Sequence, residues 1–410
     1  MKKLEDYKWM CPQPFTHIYK NIGGHNFPCC QIKNWYTPLK ALRRRGDGSS
    51  FNWDGLSLEE YHNTPLNKIF QKEFLTGDGP LIRDCCTRCL DSEKNDPNKN
   101  SPRRNYLKQF IKGNMQHRKI ELEEYLESDM KEPLIMSMEY KVKDNYCNLK
   151  CNFCASVNSS SLAGENIELK KLGHTLSFPH QLPRRHHNKA HVKDEEDFSR
   201  LDNVLKTLSY LELVGGETLA IPQNYELLDH IIDLGVSKNI AVKITTNGTI
   251  LPKINGKTIF DYIPHFKKIS FLVSIEFWGA KNDYLRYGSK WNVILNNALK
   301  LTEHGCKVSY HSTVNALNAG YLDEMPMKQS YGGVVKGKGQ IYSIASIPLD
   351  IRKKYMEKSL PVKIKNMLVN EPWSEDQMWT MLRDIKARDT LRGTCLIDIF
   401  PEWTDYYNHV

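Results

Sequence analysis

A chain of 410 residues, 40% hydrophobic and 10% aromatic, holds a core of roughly 200–250 residues plus a second module and is not a disordered polymer. Its 57 Lys and Arg against 48 Asp and Glu leave a net charge of +9, a mixed and mild excess, weaker than a nucleic-acid binder usually shows. No apolar run approaches the ~18–20 residues of a membrane span, and the opening MKKLEDYKWMCPQ offers no apolar secretory signal, so a cytoplasmic protein without membrane contact is expected.

Residues 1–105 look like a separate module, with six of the 11 cysteines and irregular punctuation such as NIGGHNFP and RRRGDGSS. EKNDPNKNSPRRN (93–105) has the composition of an exposed connector, and residues 106–132 read as a helical link. From 133 to about 350 strand-like and helix-like segments alternate. LIMSMEYKV (134–142) is a strand that runs toward a cysteine loop, DNYCNLKCNFCASV (144–157). Residues 158–198 read as a long insertion after it, of the kind that is functional or disordered. RLDNVLKTLSY then puts Leu201, Val204, Leu205 and Leu208 on one helical face.

YLELVGGET is the next strand, ending in a glycine turn, and YELLDHIIDLG a helix closed by Gly235. The strands AVKITTNGT and ISFLVSIEF (269–277) follow, then the helix WNVILNNALKLTEHG and the strand CKVSYHSTVNAL. GGVVKGKGQ (332–340) reads as flexible. Over 351–410, PWSEDQMWTMLRDIKARD makes a helix opened by Ser374 with Gln377, and LRGTCLIDIFPEW a strand. Strands separated by such helices imply βαβ units and a parallel sheet, closed or partly closed into a barrel. Functional loops then gather at the C-terminal strand ends. The cysteine loop, GGE (215–217), TNG (246–248) and SIE (274–276) all fall on that rim and would face one pocket.

Disulfides suit small secreted domains, so clustered thiols in a chain of this kind read as metal ligands. Cys147, Cys151 and Cys154 form a trio with no further Cys or His close behind. A structural zinc site wants four protein ligands. An iron–sulfur cubane held by three thiolates instead leaves one iron open to an exogenous ligand with two donor atoms, such as the amino and carboxylate groups of a methionine.

C-x3-C-x2-C after the first strand of a βα domain, written here as YCNLKCNFC and followed by LVGGET, ITTNGT and VSIE, resembles the signature of the radical SAM superfamily. The resemblance implies an α/β fold, a partial (β/α)6 TIM-like barrel over about residues 133–350. It implies a 4Fe–4S cluster on Cys147, Cys151 and Cys154, with S-adenosylmethionine chelated at the open iron. The activity implied is reductive cleavage of that cofactor to a 5′-deoxyadenosyl radical that abstracts hydrogen, an oxidoreductase chemistry fed by a flavodoxin- or ferredoxin-type electron donor. Gly215, Gly216 and Glu217 would meet the methionyl ammonium, Phe153 would lie beside the adenine, and Ser274 would reach the ribose or carboxylate. Asn247, Glu276 and Arg286 are the other cofactor-binding candidates. Glu276 stands where many relatives have Asp.

Cys11, Gly24 and Cys29, with Cys86 and Cys89 later, resemble the SPASM/twitch type of auxiliary cluster domain, here N-terminal, which implies a second 4Fe–4S cluster. Four thiolates close such a cluster fully; zinc is the alternative at the same four sulfurs. Cys30 and Cys85 adjoin Cys29 and Cys86, so the ligand within each pair is open. Related enzymes point to a peptide or protein substrate. A nucleotide, sugar or nucleic acid is the alternative, and the basic clusters RRR (43–45) and RRHHNKAH (184–191), otherwise solvated loops, would serve it. A non-catalytic, zinc-stabilised binding protein is the reading outside enzymes.

Overall fold

The computed structural model describes residues 1–21, 26–32, 58–95, 101–174, 197–326, 329–335 and 340–410. Gly24 and both basic clusters, 43–45 and 184–191, lie outside the described residues. In chain order the strands are β1 (His17–Lys20), β2 (Asn26–Phe27), β3 (Ser137–Tyr140), β4 (Lys150–Cys151), β5 (Tyr210–Leu213), β6 (Ala241–Thr246), β7 (Lys268–Ser274), β8 (Arg286–Tyr287), β9 (Lys307–Val314) and β10 (Gln329–Val334). Eight of them form one sheet in the order β10-β9-β7-β6-β5-β3-β1-β2. From β3 to β10 six strands lie side by side in sequence order, all parallel. This is the expected partial (β/α)6 barrel.

The strands alternate rather than run apolar throughout. In β6, Val242, Ile244 and Thr246 are buried and the residues between them half-buried. Met138, Leu211, Val242 and Ile244 pack against the helical Val204, Leu205, Leu228 and Ile231 in one core. The opposite face carries Glu139, Glu212 and Lys243 side by side in register, with the Lys243 ammonium 2.8 Å from Glu212. Strands buried on both faces read as continuous apolar runs; the charges mark the second face as a polar lining. There burial, with Cys30 and Glu212 beside it, pushes the Glu139 carboxyl up to about 9.

The N-terminal region shares this sheet. All four residues of β1 pair in parallel with β3, and β2 folds back antiparallel on β1. Its core gathers Phe15, Phe70, Phe74 and Phe110 around Met136. The 93–105 stretch is not wholly exposed: Ser101 and Arg103 are buried. Ser101 caps the helix Pro102–Lys112 through the Arg104 amide at 3.1 Å, and Arg103 donates to Glu93 at 2.5 Å and to the Met10 carbonyl at 2.7 Å.

Three sequence expectations need correction. The insertion at 158–198 opens with a helix, Ser160–Lys171, whose first turn is capped by Ser159 accepting from the Leu162 amide at 3.1 Å. The first three residues of the flexible candidate at 332–340 lie in β10. The strand expected in LRGTCLIDIFPEW is helical instead, over Leu396–Ile399 and Pro401–Trp403. Its buried residues, Leu396, Phe400 and Trp403, follow helical spacing, and the Asp389 carboxylate accepts from the Leu396 amide at 2.8 Å to start the turn.

No helix among the described residues is long and apolar enough to cross a membrane. Asp389 also accepts from the hydroxyls of Tyr284 (3.0 Å), Tyr407 (2.8 Å) and Thr394 (2.6 Å), which makes it the hub of the C-terminal packing. Asp389→Ala would leave buried donors without an acceptor and is expected to cost about 3 kcal/mol or more. The shift of the urea midpoint measures it; a loss under ~1 kcal/mol would show that the hub is dispensable.

Candidate active site

The cysteine loop leaves the C-terminal end of β3, and three neighbouring strands deliver their own motifs to the same rim. GGE follows β5, TNG closes β6 and SIE closes β7. Cys147 and Cys151 are buried and Cys154 half-buried, packed with Leu149 and Phe153 into one small cluster.

Serines at the start of the following helix hold the loop by its main chain. Ser159 Oγ donates to the Leu149 carbonyl at 2.7 Å, Ser161 Oγ donates to the Cys147 carbonyl at 2.6 Å, and Ser160 Oγ accepts from the Cys147 amide at 3.3 Å. On the β5 side the Glu217 amide donates to the Tyr146 carbonyl at 2.7 Å. The approach admits only glycine next door, because a Cβ on Gly216 would stand 2.0 Å from that carbonyl oxygen. Gly215 is less confined: its Cβ would meet the Ile221 side chain at 3.5 Å, an ordinary contact.

Glu217 is fully buried. Its carboxylate accepts from the Leu219 amide (3.1 Å), the Thr246 hydroxyl (2.6 Å) and the Asn247 amide (2.7 Å). Burial pushes its carboxyl up, and these three donors oppose the push. The side chain thus bolts the β5 turn to the end of β6. Asn247 in turn donates to Asn148 at 2.9 Å and points its amide at the Cys147 sulfur, 3.9 Å away.

Arg286 comes from the other side, paired across the β4–β8 ladder with Cys151. Its guanidinium donates to Glu276 at 2.9 Å. The Glu276 carboxylate also accepts from the Thr313 amide at 2.9 Å, locking β7 to β9. Burial pushes Glu276 up to about 8 against the pull of Arg286. Burial works against the charge on Arg286, but Cys151 and Glu276 outweigh it and hold its pKa above the ordinary value. Ser274, at the last position of β7, is half-buried on the same rim.

Burial pushes Cys147 and Cys154 up to about 12 and raises Cys151, where the charges of Arg286 and Arg392 oppose it. Three thiols in this setting need a cationic partner to become thiolates. The residues fit an iron–sulfur cluster in a second way. Arg286 Nε is buried with no acceptor among the described residues, a cost of about 1–3 kcal/mol that an acceptor on a bound group would offset. Among the described residues no three His, Cys, Asp or Glu side chains converge on one metal-ion position.

A second set of thiols gathers in the N-terminal region. Cys11, Cys29, Cys85, Cys86 and Cys89 line one cavity with Arg103. Burial pushes Cys11 up to about 12, and Cys89 adds to the push; Cys86 is raised in the same way by burial, then by Cys11 and Cys89. Cys30 lies beside Cys29, its sulfur 3.3 Å from the Gln31 side-chain amide nitrogen and 4.0 Å from the Tyr106 hydroxyl, two residues that line the same cavity. Sequence reasoning missed Ser159–Ser161, Asn148 and Arg392. The serine run was visible as text, but only its place at a helix start shows what it grips.

A family model, the radical SAM superfamily, matches residues 144–321. No curated protein sequence matches the chain. Among solved structures, native anSMEcpe with bound AdoMet and Cp18Cys peptide is 13% identical over 54% of this chain and 58% of that chain, with a TM-score of 0.36. This chain therefore spans less than two thirds of that structure's length. Streptococcus suis SuiB bound to S-adenosylmethionine is 13% identical over 80% of this chain and 67% of that chain (TM-score 0.30). SuiB bound to precursor peptide SuiA is 14% identical over 87% and 70% (TM-score 0.32). Residues 144–321, from the cysteine loop to just beyond the fifth barrel strand, are therefore similar to the radical SAM superfamily.

Proposed function

We propose that this chain is a radical SAM enzyme that modifies a peptide or protein, with Cys147, Cys151 and Cys154 holding the cofactor-binding cluster and Cys11, Cys29, Cys86 and Cys89 a second one. The observation that carries the reading is the trio of thiols gripped at the C-terminal rim of six parallel strands, inside the matched domain. When bound there, a 4Fe–4S cluster with S-adenosylmethionine supplies a 5′-deoxyadenosyl radical for hydrogen abstraction.

The chain's own residues do the positioning. Gly215 and Gly216 bring main chain to the rim without side chains in the way, which suits the methionyl end of the cofactor. Glu217 is already engaged by three donors, so its part is to hold that turn, and the ammonium contact passes to the turn's main chain. Ser274 and the unpartnered Nε of Arg286 offer hydrogen bonds to the cofactor, Asn247 steadies the Cys147 sulfur, and Phe153, half-buried beside the thiols, gives the adenine an apolar wall. The rim closed by these residues keeps water from a reactive radical.

In the N-terminal cavity, Cys86 and Cys29 are the preferred members of their pairs. Cys86 feels both Cys11 and Cys89, and Cys29, hydrogen-bonded to Cys30, feels Cys11 as well; Cys29 lines the cavity with them, while the Cys30 sulfur is engaged by Cys29, Gln31 and Tyr106. Cys85 lines the cavity as well and is the spare thiol. The peptide or protein substrate follows from the resemblance of this cysteine set to auxiliary domains of peptide-modifying relatives. The polar face with Glu139, Glu212 and Lys243 is where such a substrate would lie.

Anaerobic reconstitution is expected to load about eight iron and eight sulfide per chain; zinc as the sole metal would sink the proposal. Cys151→Ala is expected to abolish reductive cleavage of S-adenosylmethionine, read as 5′-deoxyadenosine by chromatography. Cys86→Ala with Cys89→Ala is expected to halve the iron and leave cleavage without substrate; iron content equal to wild type would refute the second cluster. Gly216→Ala forces the β5 turn off the Tyr146 carbonyl. It is expected to cost about 1–3 kcal/mol and to weaken S-adenosylmethionine binding by tenfold or more in calorimetry.

A further inference from the structure

The helix Glu375–Arg392 ends at Arg392 and is closed by Gly393 in the left-handed conformation at φ 65°. From that end the Arg392 guanidinium reaches the cysteine loop, 242 residues away in sequence, donating to the Lys150 carbonyl at 2.7 Å. It also donates to the side-chain oxygen of Asn152. Lys150 and Asn152 are the chain neighbours of Cys151, so one planar guanidinium grips the loop on both sides of the middle thiol. Tyr287, whose strand pairs with Lys150, lies against it with the guanidinium 4.5 Å from the ring centre.

Glu165 holds the guanidinium from behind, accepting from Nε at 3.0 Å and from Nη2 at 2.7 Å. Arg388, one turn earlier, shares Glu165 at 2.5 Å and pairs with Asp384 at 2.9 Å. The side chains of Arg392, Arg388 and Glu165 are 3%, 4% and 0% exposed. Lys150 approaches Glu165 at 3.6 Å from the half-buried side. Three cations therefore face two carboxylates behind Cys151, while Arg286 and Glu276 balance each other in front of it. A buried ion network of this kind adds little stability over well-packed apolar residues. Its place against the loop suggests another use. An iron–sulfur cluster gains one negative charge on reduction, and nearby charge and hydrogen bonds set how readily it does so.

We propose that Arg392 and Glu165 are positioning residues that fix the Cys151 segment and set the reduction potential of the cluster bound there, Arg392 favouring the reduced form and Glu165 opposing it. This rests on the function proposed above. The full-length chain, reconstituted with iron and sulfide and poised with dithionite, is titrated by electron paramagnetic resonance, following only the reduced-cluster signal that changes when S-adenosylmethionine is added. Arg392→Met is expected to make one-electron reduction about tenfold less favourable, a fall of ~59 mV. Glu165→Gln is expected to raise the potential by a comparable step. Arg392→Lys, which keeps the charge, is expected to lie nearer to wild type than Arg392→Met does.

Loosening of the loop alone would move the first two variants the same way, so opposite signs are the decisive result. If Arg392→Met does not fold, Glu165→Gln against Arg392→Lys carries the comparison. Shifts of the same sign, or none, with a normal wild-type signal overturn this proposal alone. A wild-type chain with no signal that responds to S-adenosylmethionine overturns the parent reading, and this one with it.

Discussion

The cysteine loop has almost no regular structure, so its shape is set by what grips its main chain. Buried peptide groups need partners, and here they come from widely separated parts of the sequence. Ser159, Ser160 and Ser161 hold it from the following helix, Glu217 from the β5 turn and Leu285 from the segment before β8, and Arg392 from the C-terminal helix. Each bond contributes a net ~0.5–1.5 kcal/mol, no more than the ~1–2 kcal/mol needed to fix one residue's backbone. The loop is therefore ordered by the sum of its holds. Three thiols are placed by contacts that converge from most of the domain.

Charge at the rim follows from the same burial. Three buried carboxylates surround the thiols, and each is satisfied differently. Glu276 has a guanidinium, Glu217 has three hydrogen-bond donors, and Glu165 is shared by two arginines. An unpaired carboxylate in any of these positions would repel an anionic cluster and would itself take up a proton. Glu217 avoids this chiefly because the ends of β5 and β6 present two main-chain N–H groups and a hydroxyl within reach. The register of the sheet, Leu213 opposite Ile244, brings those ends together. The geometry of the turn thus depends on strand pairing as much as on its glycines.

What the sequence disclosed was the part written in local pattern. The strand runs and the rim motifs Cys147-x3-Cys151-x2-Cys154, Gly215–Gly216–Glu217 and Thr246–Asn247–Gly248 are short and lie at strand ends, so periodicity placed them. The helix Ser160–Lys171 was hidden because its apolar residues are sparse and its starting serines resemble loop. The C-terminal turn around Leu396 is misleading because the short apolar run Cys395–Ile397, followed by Ile399 and Phe400, fits a strand as well as a helix. Only Asp389, reached through tertiary packing, decides between them. Glu165 and Arg392 carry no local signal at all: 227 positions separate them, and each looks like a surface charge on a helix.

The pairing of β1 with β3 links the two groups of thiols. β3 ends in the loop that carries Cys147, and its Glu139 lies beside Cys30, next to Cys29. Because β1 is in register with β3 along all four residues, the N-terminal cavity is set relative to the barrel by a hydrogen-bonded ladder. The segment between them adds Ser101, Arg103 and Glu93 as a buried anchor, stacked on Trp9 at 4.6 Å. A strand ladder does not stretch as a linker would. The separation between the two groups of thiols is therefore fixed by the sheet, and the Glu139 side chain on β3 lies at the Cys30 end of it.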